Sequence, residues 1–249
     1  ISVTGVDRIK WLHDLTTQYL LDFPVDTWTS NLILDHLGHI EHQFLFTDDG
    51  QTCWLVTDKN RSTALIEYLN KMKFTLRVEV KDSSSEKSLI KVPGKTDVIG
   101  GPYKLVNRGQ LNFAGTQVGM WVLEAERVAM KRPRIGLETD HKTIPNEIGL
   151  LNISVHLNKG CYRGQETVAK INNLGNPPRK LILLHLDGSE VDLPLPGMDV
   201  ELNGIKVGFV GTSSRHHELG NIALALVKRS VADDAQLTIA GIPALTAVG

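Results

Sequence analysis

The residues with the most chemistry to offer lie in one short run, Asn158-Lys159-Gly160-Cys161-Tyr162-Arg163-Gly164-Gln165-Glu166. A cysteine reacts as its thiolate, which nearby cations and free backbone N–H groups favour. Lys159 and Arg163 stand two residues to either side of Cys161. Gly160 and Gly164 let the backbone approach a ligand or take a positive φ. The stretch from Gln165 to Ile171 fits the start of a helix or a strand, and a helix N-terminus would favour the thiolate further. The alternative is a turn cysteine without a chemical role, since unpaired cysteines usually behave as small hydrophobes. On residue types alone the two readings are level. One cysteine cannot hold zinc or an iron–sulfur cluster, which take about four ligands, but it can supply one ligand beside a partner. No metal centre of the chain's own is expected. A cysteine nucleophile wants a His base and an orienting group. His156 lies five residues upstream, with nothing to place it on the thiol. His36, His39 and His42 flank a turn that would scatter their side chains, which reads as solvated histidines. Neither glycine-rich phosphate-binding pattern, G-x-x-x-x-G-K-[ST] or G-x-G-x-x-G, is present. Arg215-His216-His217-Glu218 reads as a polar loop between strands.

The elements that must position this run follow from periodicity and turn residues. The opening reads as a short strand, a turn at Gly5, and a helix capped by Asp7 with Ile9, Leu12, Leu15 and Tyr19 on one stripe. Residues 31–50 read as a hairpin turning through Asp35–Gly38. "TCWLVTD" is a further strand with Cys53 in the core. Asp58 then caps a helix over 59–72, and "LRVEVKD" alternates as a strand should. Strand-helix-strand runs mixed with hairpins predict an α+β fold. The polar run 82–88 predicts a break between two sub-domains, and residues 117–130 read as a strand leading into a helix. Gly175, Pro177 and Pro178 predict the main boundary, giving domains 1–176 and 177–249. Beyond it, short strands separated by turn residues predict a small β-barrel.

The bulk numbers exclude several classes. A formal net charge of −1 over 249 residues gives no global field for nucleic acid or membrane, so neither is an expected partner. No apolar run approaches the roughly 20 residues of a spanning helix, and the opening does not read as a leader. Two widely separated cysteines predict a reducing, cytoplasmic setting rather than a disulfide framework.

At Lys159–Glu166, "KGCYRGQE", the sequence resembles the YgfZ family of folate-binding proteins, relatives of the glycine cleavage T-protein, an aminomethyltransferase. The similarity runs through "VTGVDRIKWLHDLTTQ", "RPRIGLETDHKTIPNEIGLL" and "KVGFVGTSS", nearly the whole chain. It implies a T-protein-like ring of two ferredoxin-like mixed α/β sub-domains closed by the C-terminal barrel, with tetrahydrofolate or a derivative in a central channel. It also implies support of iron–sulfur enzymes, including tRNA-modifying ones, through partner enzymes that share a cluster at Cys161. The motif carries over as Lys159, Gly160, Cys161, Tyr162, Gly164, Gln165 and Glu166, with Arg163 at a variable position. Cys161 is the reactive or ligating thiol. Arg127, Lys159 and Tyr162 are the implied folate contacts, with a salt-bridge role as the alternative for Arg127. Pro145 and Glu147 match a structural turn. One departure stands out. Where the T-protein carries an acidic pair after the hairpin glycine, this chain has His42 and Gln43, and Glu41 alternates to the other face. Two rivals follow: a folate-dependent aminomethyltransferase or one-carbon transferase, and a folate-sensing module that docks a partner.

Overall fold

The computed structural model describes residues 1–92, 102–110, 119–188 and 192–247. In chain order the strands are β1 (Ser2–Thr4), β2 (Thr29–Leu34), β3 (Ile40–Asp48), β4 (Thr52–Val56), β5 (Glu79–Lys81), β6 (Lys87–Lys91), β7 (Tyr103–Asn107), β8 (Arg179–Leu186), β9 (Asp199–Leu202), β10 (Ile205–His216), β11 (Gly220–Lys228), β12 (Gln236–Ile239) and β13 (Ile242–Thr246). The helices are α1 (Arg8–Leu15), α2 (Lys59–Met72), α3 (Met120–Ala129), α4 (Leu151–Ser154) and α5 (Gln165–Leu174). No helix of the described residues is long and apolar enough to cross a membrane.

The chain forms two compact units interleaved in sequence, whereas the expected division was a single cut after residue 176. The first comprises Ile1–Ala114 and Leu150–Ala169, the second Gly115–Gly149 and Lys170–Gly249. In the first, an antiparallel sheet runs β2-β3-β4-β1-β5, and β6 and β7 form a separate hairpin. Its core gathers Val3, Trp11, Leu12, Phe44, Phe46, Cys53, Leu55, Leu65 and Leu69. Burial of such side chains stabilises by about 1.5–3 kcal/mol each. The run 82–88 turns at 84–86 and enters β6 without leaving this unit.

α1 stops at Leu15, so Tyr19 lies beyond the helix it was expected to continue. Thr16 is extended (φ −118°, ψ 168°), and its Oγ1 donates to Leu12 O at 2.7 Å, a back-bond that competes with helix continuation. Asp7 stands at the N-cap position, but its carboxylate accepts from Arg77 N and Nε rather than from helix N–H groups.

In the second unit the six strands β10-β11-β8-β13-β12-β9 close into a barrel. Its interior holds Leu184, Val200, Val210, Ala223, Ala225, Val227, Leu237 and Ile239. Closure removes the unpaired edges that strands otherwise expose. Val128 of α3 packs with Leu183, Ile222 and Leu224 on the outer face. The strand expected at the start of 117–130 is helix from Met120 onward, while Gln117 and Val118 lie outside the described residues. Arg215 and His216 continue β10 instead of forming a loop. His216 is buried, and its Nδ1 accepts the backbone N–H groups of Glu218 and Leu219, each at 3.2 Å.

Candidate functional site

The "KGCYRGQE" loop and the β2–β3 hairpin turn form one packed junction in the first unit. Gly164 takes φ +80°, and a Cβ there would lie 2.4 Å from Asp35 O and 2.8 Å from Gly38 Cα. Gly38 takes φ +86°, and its own Cβ would meet Thr167 at 2.9 Å. Only glycine allows this approach at both points. α5 begins immediately after Gly164, with Gln165 N–H bonded to Tyr162 O at 3.2 Å. The undecided stretch 165–171 is therefore helical.

Lys159 is buried, at 4% exposure. Its Nζ donates to the carbonyls of His13, Thr16 and Gln18, the last at 3.0 Å, gathering the end of α1 and the segment after it. Burial pushes the amine down to about 8, while its three protons are all used by these carbonyls. The backbone O of Lys159 accepts from Gln165 Nε2 at 3.1 Å. Tyr162 is buried with its ring centroid 5.6 Å from Lys159 Nζ, and burial raises its hydroxyl to about 12. Arg163 reaches across to β3, where Nη1 meets Glu41 Oε2 at 3.1 Å. The two cations invoked for the thiolate are thus engaged elsewhere, Lys159 by carbonyls and Arg163 by a carboxylate. Gly160 borders open space, and Cys161 and Glu166 are exposed.

Cys53 contrasts with Cys161. It is buried, its Sγ donates to Asp48 Oδ2 at 3.0 Å, and burial pushes its thiol up. A thiol-alkylating reagent is expected to label Cys161 quickly and Cys53 only when the unit opens. Peptide mapping by mass spectrometry reads the order, and faster labelling of Cys53 would contradict the assignment.

The hairpin separates its histidines into three environments. His36 is exposed. His39 Nδ1 lies 2.9 Å from Asp35 Oδ2. His42 is half-buried, its ring centroid 5.4 Å from that of Tyr68, and burial, with Arg61 nearby, pushes it down to about 4. Burial therefore keeps His42 neutral near pH 7, where it carries no charge to stand in for a carboxylate. The same shift sets a pH dependence. The folded value lies below the unfolded one of about 6.5, so the unfolded chain takes up the proton that the folded one refuses, and stability falls as pH drops through that window. Urea midpoints are expected to decline between pH 7 and pH 5, less steeply in His42→Phe; equal slopes would contradict this.

Arg127 belongs to the second unit. Its Nη1 donates to Arg132 O at 2.6 Å and Glu138 Oε2 at 3.2 Å, its Nη2 to Thr212 Oγ1 at 2.6 Å and Glu124 Oε2 at 3.1 Å, and its Nε to Glu124 Oε2 at 3.3 Å. These contacts take up all five of its N–H groups. Glu138, which the sequence reading passed over, is the buried centre of this network. It also accepts from Thr212 N at 2.8 Å and Arg134 N at 2.7 Å. Glu147 and Asp140 hold Arg179, with Arg179 Nε 2.8 Å from Glu147 Oε1 and Nη1 2.7 Å from Asp140 Oδ2, consistent with a structural turn at 145–147. Glu126, His216 and His217 bring ligand atoms within 4.8 Å of one another. The acceptor role of His216 Nδ1 puts that ring's proton on Nε2, which faces Glu126 Oε1 at 3.6 Å. That nitrogen has no lone pair for a cation, so the cluster does not fit a metal.

No established family profile matches the chain. It is 26% identical over 289 aligned positions to a chloroplastic protein of Arabidopsis thaliana named a putative transferase, an alignment covering 93% of this chain and 64% of that protein. The chain thus spans less than two thirds of that relative. Among solved structures it is similar to the glycine cleavage system aminomethyltransferase T from Bartonella henselae, with a TM-score of 0.77 and 14% identity, covering 100% of this chain and 82% of the other. At that identity the likeness is one of fold, and the fold of this chain is that of the T-protein.

Proposed function

We propose that this protein is a folate-dependent one-carbon transferase. The observation that carries the reading is the T-protein-like fold across the full chain, supported by a relative whose name is that of a transferase. A bound reduced folate would supply the carrier for the one-carbon unit. Of the residues expected to hold it, Arg127 and Lys159 do not fit, because their N–H groups are already spent within the protein. Tyr162 offers only a buried ring. Charged side chains that keep solvent access around the hairpin turn include Arg163 and Glu41, which pair with each other but are exposed by 42% and 36%, and Asp35, exposed by 19%. Charged hydrogen bonds from such groups suit the acidic and N–H-bearing ends of a folate. Aminomethyl transfer from a carrier protein is not expected, since the positions of the acidic pair hold a neutral His42 and Gln43. Incubation with tetrahydrofolate and a panel of one-carbon donors, followed by mass spectrometry of the folate forms, tests the reading. Interconversion proportional to protein concentration is expected; none with any donor would overturn it.

A second reading, YgfZ-type support of iron–sulfur enzymes by a cytoplasmic protein, is favoured by the solvent exposure of Cys161, where a partner enzyme could share a ligand. Normal client activity with Cys161→Ser would count against it, and in favour of a folate-sensing docking module.

A further inference from the structure

The two oxygens of the Asp35 carboxylate divide their work. Oδ1 accepts the backbone N–H groups of Leu37 and His39, each at 2.8 Å, which is enough to hold the hairpin turn. Oδ2 is left for the His39 ring, with Nδ1 at 2.9 Å. Burial alone would raise the Asp35 carboxyl, but these hydrogen bonds outweigh it and hold the group below its usual value, as a carboxylate. An ionised acceptor favours the proton on Nδ1, which leaves the ring's free lone pair on Nε2. The His39 side chain is 23% exposed, so the ring is not sealed from solvent.

The other rings of this unit with described roles are differently used. His13 Nδ1 accepts Leu20 N–H at 3.2 Å, and His42 is packed beside Tyr68. The turn carrying Asp35 and His39 is itself closely packed through the approach of Gly164 to Gly38. A carboxylate-oriented imidazole on a packed turn has the form of a general base or acid.

We propose that His39, oriented by Asp35, is a proton-transfer residue, taking a proton at Nε2 from an N–H or O–H group of a ligand bound at the hairpin turn and returning it from the same atom. This rests in part on the transferase reading for the ligand's identity, though the state of the imidazole does not. The purified protein, labelled with 15N, reports the tautomer directly. His39 is expected as the Nδ1–H form, with Asp35→Asn, a change at the positioning residue, moving population toward the Nε2–H form. Diethyl pyrocarbonate is expected to acylate His39, more slowly in Asp35→Asn, and saturating tetrahydrofolate to protect it. In the transferase assay His39→Gln is expected to lower kcat by roughly 100-fold, the usual worth of a positioned acid–base group, with folate affinity kept. An Nε2–H tautomer in the wild type, or full activity of His39→Gln, overturns the proposal. Folate binding without protection of His39 overturns it while leaving the transferase reading standing. Absence of folate binding sinks that reading, and the tautomer and acylation results then decide the imidazole's role alone.

Discussion

Replacing Lys159 with methionine is expected to destabilise the first unit by about 3–5 kcal/mol, the range for leaving several buried polar partners unsatisfied. Methionine keeps most of the length and the apolar stem of the side chain but none of its three donors. The carbonyls of His13, Thr16 and Gln18 would then lose their common partner, and with it the link between the end of α1 and the cysteine loop. Urea denaturation at neutral pH measures the loss. A change below about 1 kcal/mol, the worth of one ordinary hydrogen bond, would mean that water replaces the ammonium and that Lys159 is not the anchor of the motif.

The second large effect is expected at Glu138. Glu138→Gln preserves shape, but an amide cannot accept at both ends. One oxygen can still take Thr212 N–H, and the NH2 then faces Arg134 N–H and the Arg127 guanidinium, donor against donor. Breaking a buried charged pair by removing one partner costs about 3–5 kcal/mol, and the retained Glu124–Arg127 contact keeps the expected loss near the lower figure. Thermal unfolding read on the second unit should shift downward accordingly. Gly211 gives an independent check, since a Cβ there would lie 2.7 Å from Glu138 Cγ and Oε1, so Gly211→Ala should disturb the same network. Wild-type stability in both variants would remove Glu138 from its assigned role.

Much of the fold was legible because it follows from local pattern. The hairpin through Asp35–Gly38, the helix over 59–72 and the barrel strands are set by alternation, helical stripes and turn residues. What escaped was fixed by partners distant in sequence. Lys159 looks like a cation beside a thiol until the carbonyls of His13, Thr16 and Gln18 arrive from more than 140 residues away. Asp7 looks like a helix cap until Arg77 claims it. Arg127 looks available until Glu138 and Thr212 close on it. The Asp35–His39 pair was local, four residues apart. A turn alone scatters the three histidines; what singles out His39 is the aspartate four residues before it, which can orient its ring.

The central claim is that a T-protein-like fold here serves a reduced folate, and equilibrium titration of the purified protein with tetrahydrofolate tests it most directly. Calorimetry should show saturable binding near one equivalent, weakened in Glu41→Gln and Arg163→Gln by roughly 5- to 150-fold, which is about 1–3 kcal/mol, and little altered in Arg127→Lys if that variant folds. No saturable heat up to millimolar tetrahydrofolate, with the protein shown to be folded by its cooperative urea transition, would contradict the account.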